Sequence, residues 1–565
     1  LLYTNKPEQM KRRDFVKISG TAVLTGALTK LTYGFSYNNT AMKLPDEVWV
    51  QSMNEWFKLT ASNGNLFKHE DFTVEIKRSS SADGIYVSST TKELSTVRIK
   101  WKYDKPANSK FLGDHWERSY GDLQWKTDFA NAKNPWYIII TDGKNTECFG
   151  VKTGANAICW WVLGDHSLEL MVDTNSGGRG VLLGSRKLHA ADVITMIDAN
   201  TKSVFQTDHL FCKMMCTKLR VPKQPVYGIN DWYFAYGENS YDLIKKTTAM
   251  MAELITDHSN KPFSVIDAGW AEYSPLLPGD GGWNEDFGKP NDKFKDMHLM
   301  ADEIKKLGMR PGLWMRPLCA RHDEKKTFLA PSIPGRDSPK NPVLDPTIPE
   351  NIERIKNYFS IYKSWGYEMV KHDFTTYDIT GRWGVSMNEG FTSSGWNFND
   401  RSRTNAEIIG DLYETIRNAA GDNIYIIGCN TLSHLSAGVF ELCRIGDDTS
   451  GREWSRVAKM GVNTLAFRLP QHNAFYAADG DCVGITTDIP WSKNKQWLQL
   501  LAGSSAPLFI SAQPQAIGTE QKDAIRKAFA QAAKAQPLAE PIDWMTNNKP
   551  AVWKLNNRTV QFDWS

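Results

Sequence analysis

At 565 residues, with 41% hydrophobic and 23% charged residues, the chain is long enough for two to four globular domains. Its net charge of +3, with no basic block beyond Lys11-Arg12-Arg13, argues against a nucleic-acid partner. The 11 His show no HExxH or clustered pattern, so neither a catalytic metal nor another cofactor is expected.

The first feature along the chain is Met10-Lys11-Arg12-Arg13-Asp14-Phe15-Val16-Lys17, followed by the modestly apolar run Ile18–Leu28. A charged stretch before a short apolar one reads as an export signal over residues 1–35, not as a spanning helix. The paired Arg followed by Phe and Lys resembles a twin-arginine signal, which predicts a periplasmic or extracellular protein. No later stretch is long and apolar enough to span a bilayer, so no stable membrane insertion is expected after signal removal.

Between residues 40 and 221 the pattern is one of short alternating segments. Phe72–Arg78, Thr96–Tyr103, Tyr137–Thr141, Ala157–Leu163, Val181–Leu183 and Val193–Asp198 are examples, separated by turns such as Asp83-Gly84. This spacing predicts a β-sandwich. The 21 Trp, 19 Tyr and 25 Phe suit sandwich cores, and some suit stacking on sugar rings. Within this region Asp114-His115-Trp116-Glu117-Arg118 is unusual. Either Trp116 reaches a cleft as a rim residue, or the segment is a loop between domains. Gly177-Gly178-Arg179-Gly180 lies outside any βα register and is not read as a phosphate loop. The 8 Cys lack metal-ligand spacing and are expected mostly as buried free thiols; Cys212 and Cys216, four apart, leave a disulfide or a metal open.

The texture changes near Pro222. Strand-like Val226–Trp232, Phe263–Ala268, Arg310–Met315, Glu368–Phe374 and Asn423–Cys429 alternate with helical Tyr241–Thr256, Lys295–Leu307, Glu350–Trp365 and Asn405–Asn418. Gly308 and Gly366 are placed to close their helices with left-handed caps. Cys443–Gly446, Trp454–Met460, Thr464–Leu469, Pro507–Ile510 and the helix Glu520–Lys534 follow. Residues 222–535 therefore read as a (β/α)8 barrel, and residues 536–565 as the start of a small C-terminal β element. The Tyr273–Trp283 loop, with two Pro and three Gly, forms part of the pocket wall or runs in solvent.

Barrel chemistry sits at the C-terminal strand ends. In Val370-Lys371-His372-Asp373-Phe374, strand alternation puts Lys371 and Asp373 on one face and His372 and Phe374 on the other. A Lys beside an Asp keeps the carboxylate ionised, and an ionised carboxylate can attack an anomeric carbon. A structural ion pair is the plainer reading. Arg444-Ile445-Gly446-Asp447-Asp448-Thr449 ends a later strand, 75 residues after Asp373 measured to Asp448. At roughly 31 residues per βα unit plus loop excess, this places Asp373 on strand 4 and Asp448 after strand 6. Mutual repulsion of Asp447 and Asp448 would raise the pKa of the acid, and spacing leaves the choice between them open.

These two motifs together resemble glycoside hydrolase family 36 and, more loosely, family 27, the α-galactosidases and melibiases of one clan. Gly228-Ile229-Asn230-Asp231-Trp232-Tyr233, Ile266-Asp267-Ala268-Gly269-Trp270, Gly312-Leu313-Trp314 and Gly428-Cys429-Asn430 are similar to the family's first, second, third and fifth strands. The resemblance covers about residues 222–515 and implies retaining hydrolysis of terminal α-galactosides in oligosaccharides or glycans. It implies Asp373 as nucleophile, Asp448 as acid/base, Lys371 near the axial O4, Asp267 on O4 and O6, and Trp232 and Trp314 lining the sugar subsite. Cys429, Asn430 and Arg444, in the matched motifs, are grouped with the substrate-binding residues, as is Arg316. Asp481 resembles a late barrel motif without an assigned role. Two positions depart from the family: Ala268 stands where relatives often carry a second Asp, and Trp314-Met315-Arg316-Pro317 runs where Glu often follows the Trp. Arg316 would bind an acidic or substituted sugar or neutralise nearby Asp residues. The alternatives are the same chemistry on another glycone, such as an α-N-acetylgalactosaminide or β-L-arabinopyranoside, and a catalytically silent sugar-binding protein.

Overall fold

The computed structural model describes residues 42–128, 132–199, 201–273, 285–321, 324–333, 336 and 342–565. The signal-like N-terminus and, Tyr273 apart, the proline- and glycine-containing loop lie outside the described residues.

Thirteen strands between Glu47 and Asp198 form one antiparallel sheet that folds over on itself. Alternation drives it: in Phe72–Arg78 the side chains of Phe72, Val74 and Ile76 are buried. Phe149 of one half packs on Trp161 of the other at 6.0 Å, and Trp161 on Trp101 at 6.1 Å, so the halves enclose a common core as a sandwich does. Val181–Leu183 is not a strand. Only Val181 pairs, in a single bridge to Leu94, while Leu182 N–H donates to Arg401 O of the barrel at 3.0 Å. The preceding glycines allow that contact: a Cβ on Gly178 would meet Ser393 O at 1.9 Å.

The barrel strands are Tyr227–Asn230, Phe263–Ile266, Arg310–Met315, Met369–His372, Tyr425–Gly428, Leu442–Arg444, a seventh in two segments (Ala477–Asp479 and Cys482–Ile485), and Leu508–Ala512. All pair in parallel. The first segment of the seventh strand pairs with the sixth and the second with the eighth, which pairs with the first, so the ring closes. The break falls at Gly480-Asp481, where Asp481 has φ 73°. Several predicted strands ran past the observed ends because the ladder stops there and the chain turns into the mouth. Gly308 (φ 85°) and Gly366 (φ 84°) follow their helices in the left-handed conformation expected of them. The two segments after Trp454 join into one helical stretch, with a π-helical run Val457–Asn463 between Trp454–Arg456 and Thr464–Arg468.

A three-stranded antiparallel sheet (Glu540–Pro541, Val552–Leu555, Arg558–Gln561) ends the described chain. It is anchored by aromatics: Trp454 of the barrel packs on Trp564 at 6.3 Å, and Trp544 packs on Trp125 and Phe205 at 5.4 and 5.5 Å. All eight Cys are buried and none is in a disulfide, Cys212 and Cys216 included. Among the described residues no helix is long and apolar enough to cross a membrane.

Candidate active site

A pocket of about 370 Å³ opens at the C-terminal ends of the barrel strands. Its floor is the fourth strand. Lys371 and Asp373 both line it, while His372 faces outward against Phe440 at 4.9 Å. Asp373 Oδ1 accepts from Phe374 N–H at 2.8 Å and Oδ2 from Trp314 Nε1 at 3.4 Å. The backbone turns sharply at the next residue, since Phe374 sits at φ 64°, a left-handed conformation costly for a non-glycine residue. This turn also brings the Phe374 ring to the pocket wall, not to the outer face that simple alternation predicts.

The direct partner of Lys371 is Asp267, not Asp373. Lys371 Nζ donates to Asp267 Oδ2 at 2.7 Å. The same oxygen accepts from Asn230 Nδ2 at 2.6 Å, and Asp267 Oδ1 accepts from Ala268 N–H at 2.9 Å. Burial would discharge Lys371, but the Asp267 carboxylate outweighs it and holds the ammonium well above its ordinary pKa. Behind them, burial and the Asp267 charge push Asp231 up to about 7.

Asp447 and Asp448 line the pocket from the loop after the sixth strand. They are held differently. Asp447 is clamped between Arg118 at 2.8 Å and Arg456 at 2.7 Å, with its side chain 15% exposed. Asp448 is 40% exposed and more loosely held, with Arg444 at 3.3 Å and Arg118 at 3.8 Å. Burial pushes the Asp448 carboxyl up, yet Arg444, then Arg118, Lys371 and Arg456, together bring it below its ordinary value. The rise expected from repulsion by Asp447 is thus overturned, because three guanidiniums surround the pair.

Trp232, Trp314 and Asp267 line the pocket, as does the methyl of Ala268. Cys429, Asn430, Arg444 and Arg316 are buried behind the lining. Asn430 Oδ1 accepts from Tyr377 N–H at 3.0 Å and its amide donates to Glu117, tying three segments together. Arg444 bonds Asp481 at 2.9 Å and its Nη1 contacts Cys429 Sγ at 3.6 Å. Asp481, from the break in the seventh strand, also accepts from Thr449 N–H at 2.8 Å and so secures the loop that carries Asp448. Arg316 turns away from the mouth: past the end of its strand, its guanidinium bonds Asp378 through Nε at 3.0 Å and Nη2 at 2.6 Å, neutralising a carboxylate that is otherwise buried.

Besides Phe374, four lining residues lay outside the sequence expectation: Arg118, Tyr120, Trp383 and Val385. Arg118 closes the unusual charged segment of the β-domain and Tyr120 lies two residues beyond it; the segment's Trp116 is buried and donates to Asn388 Oδ1 at 2.8 Å instead of forming the rim. The charges of that segment were the available signal. Trp383 and Val385 lie in the excursion after the fourth strand, which carried none.

No family model matches the chain, and no curated protein matches its sequence. Solved structures do match its fold. An α-galactosidase of Thermus thermophilus, in complex with p-nitrophenyl α-D-galactopyranoside, aligns at TM-score 0.59 and 16% identity over 91% of this chain and 98% of its own. A variant of the family 36 α-galactosidase AgaA of Geobacillus stearothermophilus, in complex with 1-deoxygalactonojirimycin, aligns at 0.54 and 13% over 86% and 75%. A family 31 sulfoquinovosidase of E. rectale, in complex with an aza-sugar inhibitor, aligns at 0.53 and 12% over 92% and 87%. At these identities the shared property is the fold: this chain has the β-domain and barrel architecture found in these α-galactosidases and in the sulfoquinovosidase.

Proposed function

We propose that the protein is a retaining glycoside hydrolase acting on terminal α-galactosyl residues, with Asp373 as nucleophile and Asp448 as acid/base. One observation carries the reading: a single pocket at the barrel mouth is lined by one carboxylate oriented by neutral N–H donors and a second surrounded by cations. In the first step an oxygen of Asp373 attacks the anomeric carbon as the bond to the leaving oxygen breaks, and protonated Asp448 gives its proton to that oxygen. In the second, ionised Asp448 takes a proton from water, whose oxygen displaces Asp373 from the ester with net retention. Forming the ester removes the Asp373 charge, which lowers the proton affinity of Asp448 further and readies it as base. Trp232 and Trp314 supply aromatic walls for the apolar face of a sugar, and the Lys371–Asp267 pair supplies a donor and an acceptor for its hydroxyls. The signal-like N-terminus supports a substrate met outside the cytoplasm.

The test is a panel of p-nitrophenyl glycosides with the anomer of the released sugar followed by NMR. The α-galactoside is expected to turn over with the α-anomer released first, and Asp373→Ala to abolish turnover while keeping sugar binding. Release of the β-anomer would overturn retention, and an unchanged rate in Asp373→Ala would overturn the nucleophile. A second glycone reading rests on Ala268, whose methyl lines the wall next to Asp267. Faster turnover of the α-N-acetylgalactosaminide or the β-L-arabinopyranoside would move the assignment there.

A further inference from the structure

The acid side of the pocket is not built by the barrel alone. Ser119 of the β-domain pairs in parallel with Gly446, donating to Ile445 O at 2.9 Å and accepting from Asp447 N–H at 2.8 Å. It thereby extends the end of the sixth barrel strand and sets Arg118 beside both carboxylates. The Arg118 guanidinium lies over the rings of Trp383 at 5.3 Å and Tyr120 at 5.9 Å, and Trp383 in turn stacks on Tyr377 at 4.5 Å. The neighbouring Glu117 is fully buried and accepts from Gly384 N–H at 2.9 Å, from the Tyr120 hydroxyl and from the Asn430 amide. A guanidinium fixed among two rings and a carboxylate has little freedom to reach for a sugar, but its charge stays where it is put.

We infer that Arg118 is a positioning residue through which the β-domain supplies the counter-charge of Asp448, making the two domains one catalytic unit. The inference rests on the reading of Asp448 as acid/base. Charge pairing around the site supports it. The groups that face Asp448 are Arg444 on the sixth strand, Lys371 on the fourth, Arg456 on the helical stretch that follows, Tyr233 after the first strand, Asp373 in the same pocket, Asp447 beside it and Arg118. Lys371 is committed to Asp267 at 2.7 Å and Arg444 to Asp481 at 2.9 Å. Tyr233 donates its hydroxyl to Asp481. Arg118 and Arg456 share Asp447, two cations on one anion. At Asp447 there is therefore one more cation than carboxylate. Of the two arginines, Arg118 is the one within 3.8 Å of Asp448.

The experiment compares the pH dependence of kcat/KM for a glycoside with an alkyl leaving group, whose departure needs the proton of Asp448. Arg118→Gln is expected to move the alkaline limb up by about one pH unit, because the protonated acid persists to higher pH. Arg118→Lys, which keeps the charge but not the stacked fork, should recover part of that shift. Asp447→Asn removes a like charge and frees both arginines, so it should move the limb down; this variant keeps the test open if Arg118→Gln fails to fold. Activity lost uniformly across pH with the limb unmoved in the Arg118 variants would overturn the inference and leave Arg118 a structural residue. Proton uptake measured as the difference between wild type and Asp448→Asn, repeated with Arg118→Gln in both, reads the Asp448 carboxyl without turnover; identical midpoints would also overturn it. If Asp448→Ala leaves the alkaline limb in place, the acid/base reading fails instead, whatever Arg118 does.

Discussion

The ends of the fourth and sixth barrel strands each deliver a carboxylate to the same pocket, and they hold it by opposite means. Asp373 meets a backbone N–H and an indole N–H, both neutral. Asp448 meets guanidiniums from the barrel and from the β-domain. The contrast fits the roles proposed for the two groups. A nucleophile needs one oxygen aimed and ionised, and neutral donors orient it without satisfying its charge. An acid/base changes charge twice per turnover, so its surroundings must set how tightly it holds a proton. The cations around Asp448 favour its ionised form, which suits the base step and makes the acid step depend on low pH. We expect kcat/KM to peak in the acid range and to fall toward neutrality as Asp448 loses its proton; a flat profile to pH 8 would contradict this assignment.

If orientation is what the fourth-strand site provides, removing the carboxylate should have the largest effect. Asp373→Ala is expected to lower kcat on the order of 10⁴-fold. Added azide should restore turnover by attacking the anomeric carbon from the vacated side, giving a glycosyl azide detectable by mass spectrometry. Asp448→Ala should cost less, on the order of 10²–10⁴-fold for alkyl leaving groups. It should cost far less for nitrophenyl ones, which depart without a proton. Equal losses for both leaving groups would remove the proton-transfer role from Asp448. Lys371 separates chemistry from stability at the same floor. Its ion pair with Asp267 is largely buried, so Lys371→Met strands a carboxylate and should destabilise the fold by about 3–5 kcal/mol. Lys371→Met with Asp267→Asn together should recover much of that loss in thermal unfolding while activity stays low.

Much of this site could be read from residue order, and the parts that could not share a cause. Alternation along Val370–Phe374 placed Lys371 and Asp373 on one face, and both line the pocket. It failed at Phe374 because the strand ends at His372 and the next turn takes a left-handed φ, which no periodicity announces. Spacing put Asp448 after the sixth strand, where it is. Spacing did not reveal that Lys371 pairs with Asp267 rather than with Asp373, since that contact reaches from the fourth strand past the third to the end of the second. Arg118 and Tyr120 come from a domain that ends near residue 200, and only folding brings them to Asp447. Arg316 looked like a pocket cation because its partner Asp378 lies 62 residues on, in a short helix the pattern did not show.

The opposite face of the fourth strand turns the same contrast into a stability effect, the smallest expected here. His372 is fully buried, neither ring nitrogen has a hydrogen-bond partner among the described residues, and burial pushes its pKa down to about 3. In the unfolded chain its pKa is about 6.5. Below that pH the unfolded state binds a proton that the folded state refuses, so stability is full above about 6.5 and declines as pH falls toward about 3. His472, pushed to about 3, and His434, to about 4, act in the same direction. The slope is about 1.4 kcal/mol per pH unit for each. The proposed catalytic pair would draw activity toward acid while the buried histidines withdraw stability there, and the working optimum is expected where the two meet. Phe is close in size and adds no charge, so His372→Phe removes one proton from this balance. Its melting temperature relative to wild type should rise as pH drops from 7.5 to 5, for a gain of about 2 kcal/mol at the lower pH. The pH of maximum stability should move down with it, while the alkaline limb of kcat/KM, set by Asp448 after the sixth strand, stays in place. A difference in melting temperature that is the same at both pH values would mean that His372 is already protonated, or solvated, in the folded protein.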